Sequence, residues 1–240
     1  NLLSPGSYYI PYTYPILSSL TWLDWRTSLG LLNSFTLVTV GISTWQTGGK
    51  YGSILLALTS PCLWMLLWLG HPEGIVLLGV MTGLIPLTFI KPTVAFWSNL
   101  RNKKYIFWTL IVIILVILIW PDWILTSFFR NTVGGEWTHP ANFGWYVTGF
   151  PIAIVGGILL LGAGNDPWLL MSAGCLLSPY LMPYHMVILL PAIGKINGWK
   201  KIFVWFLGLI LALGVGLGGT ARYLNLLFPL GIYGSIQTAQ

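Results

Sequence analysis

The chain has 240 residues, 56% hydrophobic and only 7% charged, with a mean hydropathy of +0.80. A soluble domain carries about a quarter charged residues, so the composition excludes a water-covered globule and predicts an all-α integral membrane protein, one polytopic bundle over 1–240. The net charge of +6 is no nucleic-acid signature, because the basic residues sit in short loops between apolar runs, where the positive-inside rule accounts for them.

Residues 1–26 are rich in Tyr, Pro and Ser (SPGSYYIPYTYP). Tyr and Trp favour the membrane–water interface, and Pro5, Pro11 and Pro15 oppose one long helix, so this stretch is expected to be an outer interfacial piece. No basic n-region and short apolar core precede a cleavage site, and the chain reads as one entered partway. Apolar runs of the length a bilayer crossing needs then predict about eight transmembrane helices, near 27–45, 53–70, 74–90, 105–120, 146–162, 168–180, 183–193 and 202–236. The runs 168–180 and 183–193 are short and read as tilted or broken helices meeting at the prolines between them. Cys62 and Cys175 lie inside apolar runs and match no metal or redox spacing.

The stretch 91–104, KPTVAFWSNLRNKK, carries Lys91, Arg101, Lys103 and Lys104 and no acid. Placing it on the cytoplasmic side also brings Lys50, Lys195, Lys200 and Lys201 inside, against Asp166 alone. Arg26, Arg130 and Arg222 then fall outside with Asp24, Glu73, Asp122 and Glu136. The expected location is the cytoplasmic (inner) membrane, with 91–104 serving as a topological anchor and all three histidines on the extracytoplasmic side.

Chemistry is therefore expected at the outer face. His71 and Glu73 share a tight polar turn, readable as a site or as a solvated connector. Glu136 and His139 sit in the longest outer loop. Tyr184 and His185, in YLMPYH, open an otherwise apolar helix, where a histidine can meet a phosphate or shuttle a proton. Arg130 and Arg222 are placed to bind a lipid phosphate or to snorkel. Metal motifs, nucleotide loops and GxSxG are absent, so no metal or cofactor is expected. GVGLGG at 214–219 lies in an apolar run and reads as helix packing.

Four stretches together resemble the polytopic GT-C glycosyltransferases, in particular the polyprenol-phosphate-mannose-dependent mannosyltransferase family. They are YTYPILSSL (12–20), GHPEGIVLLG (70–79), TFIKPTVA (88–95) and SPYLMPYHMVILLP (178–191). The resemblance implies transfer of a sugar, with inversion, from a polyprenyl-phosphate donor to an acceptor at the extracytoplasmic face. It also implies that His71, Glu73 and His185 face the donor phosphate or the acceptor. The family's catalytic base is an Asp in the first outer loop after the first span. No span precedes that position here, so the resemblance implies either a missing N-terminal part that carries the base or a chain that is not an active enzyme, and Asp24 stands beside the wrong motif as a weak substitute.

The alternative expectation is a non-catalytic transmembrane subunit or scaffold of a larger complex, to which the 14 tryptophans would offer packing surface. Expected partners are membrane lipids, a polyprenyl-phosphate sugar donor and other membrane subunits, and no nucleic acid.

Overall fold

Through the middle of the molecule runs Pro183–Gly194, a 12-residue stretch in 3-10 geometry with every side chain buried. Such runs rarely exceed a few residues. Here Pro191, inside the stretch, lacks the N–H that α-helical bonding would use, and tertiary packing holds the tighter winding. The computed structural model describes residues 13–123, 139–217 and 219–239. Among these residues the fold is all-α, with thirteen α-helices and no strand.

Helix α1 (Thr13–Ser18) and a 3-10 turn, Ser19–Trp22, lead into α2 (Trp25–Gln46). Asp24 caps α2, its Oδ1 accepting from the Arg26 and Thr27 N–H groups at 3.0 and 3.1 Å. Helices α3 (Tyr51–Leu58) and α4 (Pro61–Leu69) form a pair bent by 49°, because Pro61 can open a helix but cannot continue one. Gly70 ends α4 in the left-handed region, and the turn His71–Pro72 leads to α5 (Glu73–Thr82). Then follow α6 (Ile85–Thr88), α7 (Pro92–Ala95), a 3-10 segment Phe96–Arg101 and α8 (Lys103–Ile119). After residue 139 come α9 (Trp145–Thr148), α10 (Phe150–Gly162) and α11 (Pro167–Leu177), capped by Asp166. The central stretch is followed by α12 (Lys200–Leu217), a 3-10 segment Gly219–Leu226 and α13 (Leu227–Gln237). The central stretch packs against α2, α3, α4, α5, α12 and α13, which makes it the axis of the bundle.

Helix α2 is inverted relative to a soluble helix. It buries Thr36, Thr39, Ser43 and Thr44 and exposes Leu31, Phe35, Val38, Ile42 and Trp45. The buried threonines donate to their own i−4 carbonyls, Thr36 to Leu32, Thr39 to Phe35 and Thr44 to Val40, so no hydroxyl is stranded. The outward sides of α8 and α10 expose Phe107, Leu110, Leu118, Phe150, Ile158 and Leu161.

Among the described residues no single helix is long and apolar enough to cross a membrane, and only the bent α3–α4 pair meets that requirement by length and composition. Several runs expected as single crossings are broken. The run 146–162 divides at Gly149. The break expected within 202–236, between 202–218 and 222–236, falls in the 3-10 segment Gly219–Leu226. The run 74–90 reverses at Gly83, whose φ of 74° suits a residue without Cβ, and α6 brings the chain back. The expectation that 91–104 lies at one end, opposite His71 and Glu73, does not hold. Lys91 returns to Glu73, whereas Arg101 donates to the Val80 carbonyl at 3.4 Å, near the far end of α5. The uncharged PTVAFWSNL between them covers that distance, so the charge cluster is split between two levels.

Candidate functional site

The turn His71–Glu73 supplies the first part of the site. Gly70 and Pro72 shape the exit from α4, and Glu73 enters the first turn of α5 fully buried. The second part is Lys91, held extended before Pro92, as a residue preceding proline tends to be. Its Nζ lies 2.5 Å from Glu73 Oε1, 3.4 Å from His71 Nδ1 and 4.4 Å from the centroid of the Tyr184 ring. The Lys91 side chain keeps 13% exposure, while that of Glu73 has none. The third part is the start of the central stretch. The Tyr184 ring stacks on His71, centroids 4.2 Å apart and planes within 11°, and meets His185 edge-on at 4.7 Å.

His185 is oriented from its Nδ1, which accepts from the Met182 N–H at 3.2 Å and lies 3.4 Å from Thr93 Oγ1. A backbone N–H can only donate, so Nδ1 is the acceptor and the ring proton resides on Nε2. The Ser178 hydroxyl donates to the Thr93 carbonyl, tying α7 to the end of α11.

The ion pair is expensive to bury and is held by its mutual attraction and its hydrogen bond. Burial pushes the Glu73 carboxyl up and the Lys91 ammonium down, and each charge opposes the shift of the other. His71 is pulled down to about 4, by burial first and by the Lys91 charge second. A neutral His71 can accept at Nδ1 from the ammonium.

Two buried polar atoms of this cluster, Glu73 Oε2 and His185 Nε2, have no hydrogen-bond partner among the described residues. Buried polar atoms are nearly always satisfied; other such atoms lie elsewhere among the described residues, and what sets these two apart is their place beside Lys91 and His71. One is an acceptor, the other an N–H donor, and a cation stands beside them. That set can take a polar ligand carrying both hydroxyl and anionic groups. Among the described residues no group of three or more His, Cys, Asp or Glu could hold a metal ion.

The structure brings together His71, Glu73, Tyr184 and His185. Other sequence candidates sit apart. His139 is exposed, its Nδ1 accepting from the Ala141 N–H at 3.1 Å. Arg222 is half-buried and donates from Nε to the Gly219 carbonyl at 2.7 Å. Asp24 serves as the cap of α2, with the Thr27 hydroxyl on its second oxygen, and that hydroxyl lowers its pKa. Arg130 and Glu136 lie outside the described residues.

Sequence reasoning missed Lys91, Thr93 and Asn142. Lys91 was absorbed into a charge cluster, and the uncharged stretch before Arg101 was the signal that separated it. Asn142 is fully buried; its Oδ1 accepts from the N–H groups of Gly144 and Leu181 at 2.9 and 2.8 Å. Phe143 N–H donates to the Leu181 carbonyl and Trp145 N–H to that of Ser178. The 139–145 segment thus splints the turn that leads into Tyr184 and His185.

No family model matches this chain, and no curated protein or solved structure matches it.

Proposed function

We propose that this chain is a membrane-embedded, GT-C-like glycosyltransferase that uses the cluster of His71, Glu73, Lys91, Tyr184 and His185 to bind a polyprenyl-phosphate sugar at the extracytoplasmic face. The observation that carries the reading is convergence. GHPEG and FIKPT are neighbours in the chain, with Glu73 and Lys91 18 residues apart, whereas His185 of SPYLMPYH lies 92 residues beyond Thr93; each belongs to a stretch resembling that family, and their polar residues meet around one ammonium. The inverted α2 and the apolar outer sides of α8 and α10 support membrane embedding, since lipid rewards an apolar exterior that water penalises.

In the proposed reaction the acceptor hydroxyl oxygen bonds to the anomeric carbon, and the bond from that carbon to the phosphate oxygen breaks. The lipid phosphate leaves with the electron pair, and the acceptor proton passes to a base. Lys91 and the His185 Nε2–H offset the charge gathering on the leaving phosphate. Glu73 orients Lys91 and presents its second oxygen to a sugar hydroxyl.

Membranes containing the protein are incubated with radiolabelled polyprenyl-phosphate mannose and extracted for labelled product. Transfer that Lys91→Met and His185→Phe each reduce by at least about a hundredfold, the scale of one charge-stabilising contact, in variants that still fold and reach the membrane, supports the reading. Undiminished transfer in both variants would overturn it.

A second reading, a non-catalytic subunit, is favoured by exposed Trp64 and Trp68 on one helix, α4, and exposed Trp22 and Trp25 around the start of α2. Stable co-purification of a partner whose binding shields these tryptophans, without sugar transfer, would select it.

A further inference from the structure

The other end of the bundle carries a separate set of charges. Among the described residues there are two ion pairs, Lys91–Glu73 and Lys195–Asp166. Among the described residues neither pair includes Lys50, Lys200 or Lys201. Two of them are nevertheless held in place. Lys201 Nζ donates to Ser53 Oγ at 2.7 Å and Lys200 Nζ to Thr238 Oγ1 at 2.7 Å. A hydroxyl fixes an ammonium without cancelling its charge, and each ammonium has three N–H donors, so both keep donors to spare. The Lys201–Ser53 bond joins the first turn of α12 to the first turn of α3, where exposed Lys50 immediately precedes the helix.

The surroundings narrow the ligand. Tyr51 and Trp199, next to Lys50 and Lys200, are 82% and 70% exposed, and such rings settle where headgroups meet acyl chains. Beyond them α3 exposes Leu55, and α12 exposes Ile202, Phe203 and Phe206. A free phosphate would use the lysines and leave these apolar side chains unused. An anionic lipid matches both.

We propose that Lys50, Lys200 and Lys201 form a binding site for an anionic phospholipid, its headgroup phosphate on the ammonium groups and its acyl chains along the exposed apolar sides of α3 and α12. The inference rests on the membrane embedding proposed above and is independent of sugar transfer.

The test uses the full chain purified in detergent. Phosphatidylglycerol, phosphatidylcholine and inorganic phosphate are titrated separately, with the melting temperature and lipid retention in native mass spectrometry as readouts. Phosphatidylglycerol is expected to be retained and to raise the melting temperature. Lys50→Gln/Lys200→Gln/Lys201→Gln is expected to weaken its apparent affinity by about a hundredfold, at about fivefold per lysine near an anionic surface. Lys103→Gln/Lys104→Gln, at the exposed start of α8, should leave it within about twofold, and Lys200→Arg/Lys201→Arg should retain the lipid. Equal loss in the two glutamine variants would mean diffuse charge and overturn the site. Equal effects of phosphatidylcholine, or of inorganic phosphate, would overturn the anionic-lipid assignment. Retention by the wild-type chain is read without any variant, so a glutamine variant that misfolds leaves the main result standing. Release of the protein from membranes by alkaline carbonate would defeat the embedding premise itself, an outcome separate from failure to bind lipid.

Discussion

The Lys91 ammonium meets the Glu73 carboxylate at 2.5 Å in a position where Glu73 has no contact with solvent. Removing one partner strands the other charge. Lys91→Met is expected to destabilise the fold by about 3–5 kcal/mol, whereas Lys91→Met/Glu73→Leu, which removes both charges, is expected to recover most of that loss. Chemical unfolding in detergent micelles measures both. A double variant as unstable as the single one would show that the pair is not energetically coupled.

His71 gives the fold an acid limit. Its folded pKa of about 4 lies below the ordinary 6.5, so the unfolded chain takes up the proton first as pH falls. The contribution of neutral His71 is complete above about pH 6.5 and is lost as pH falls from there to about 4. His71→Phe keeps a ring against Tyr184 and cannot titrate. The difference in melting temperature between variant and wild type should therefore shift in favour of the variant across that window. A constant difference from pH 7 to pH 4 would contradict the assignment.

Asn142 holds the Leu181 and Gly144 amides. Asn142→Ala leaves both donors buried and unpaired, at about 1–3 kcal/mol for each. Asn142→Asp keeps an acceptor in the same place. Hydrogen exchange should show loss of protection at Leu181 and Gly144 in the alanine variant and less loss in the aspartate variant. Equal protection in wild type and alanine variant would remove Asn142 from its role as a splint for the 178–182 turn.

The helical class was legible because near-continuous apolar runs with few charges admit little else. The caps at Asp24 and Asp166 follow the ordinary rule for a short acceptor ahead of a helix. The reversal at Gly83 was not legible. The run 74–90 is apolar throughout, and hydropathy cannot distinguish one long helix from two short ones folded back. That single reversal moved Lys91 to the level of Glu73 and converted an anchoring charge into the centre of the candidate site. His71, Glu73 and His185 stood out as rare titratable groups, whereas the bond from Met182 to His185 and the clamp at Asn142 depend on backbone groups that leave no mark in composition.

The inverted α2 has a mechanical consequence. Its buried threonines spend their hydrogen bonds on their own helix, so its midsection presents its neighbours with a smooth, non-directional surface. Among the described residues its side-chain links outward sit at the ends: Ser28 to the Leu20 carbonyl and Asn33 to the Leu67 carbonyl toward one end, and the capping Thr47 to the Pro191 carbonyl at the other. A small axial slip or rotation of α2 would exchange those end links and leave the bonds of Thr36, Thr39 and Thr44 intact. Shear of that kind is among the least demanding motions packed helices have, and here it would pass directly beside Gly74 and the turn that carries Glu73, since a Cβ at Gly74 would lie 2.5 Å from Thr36 Oγ1.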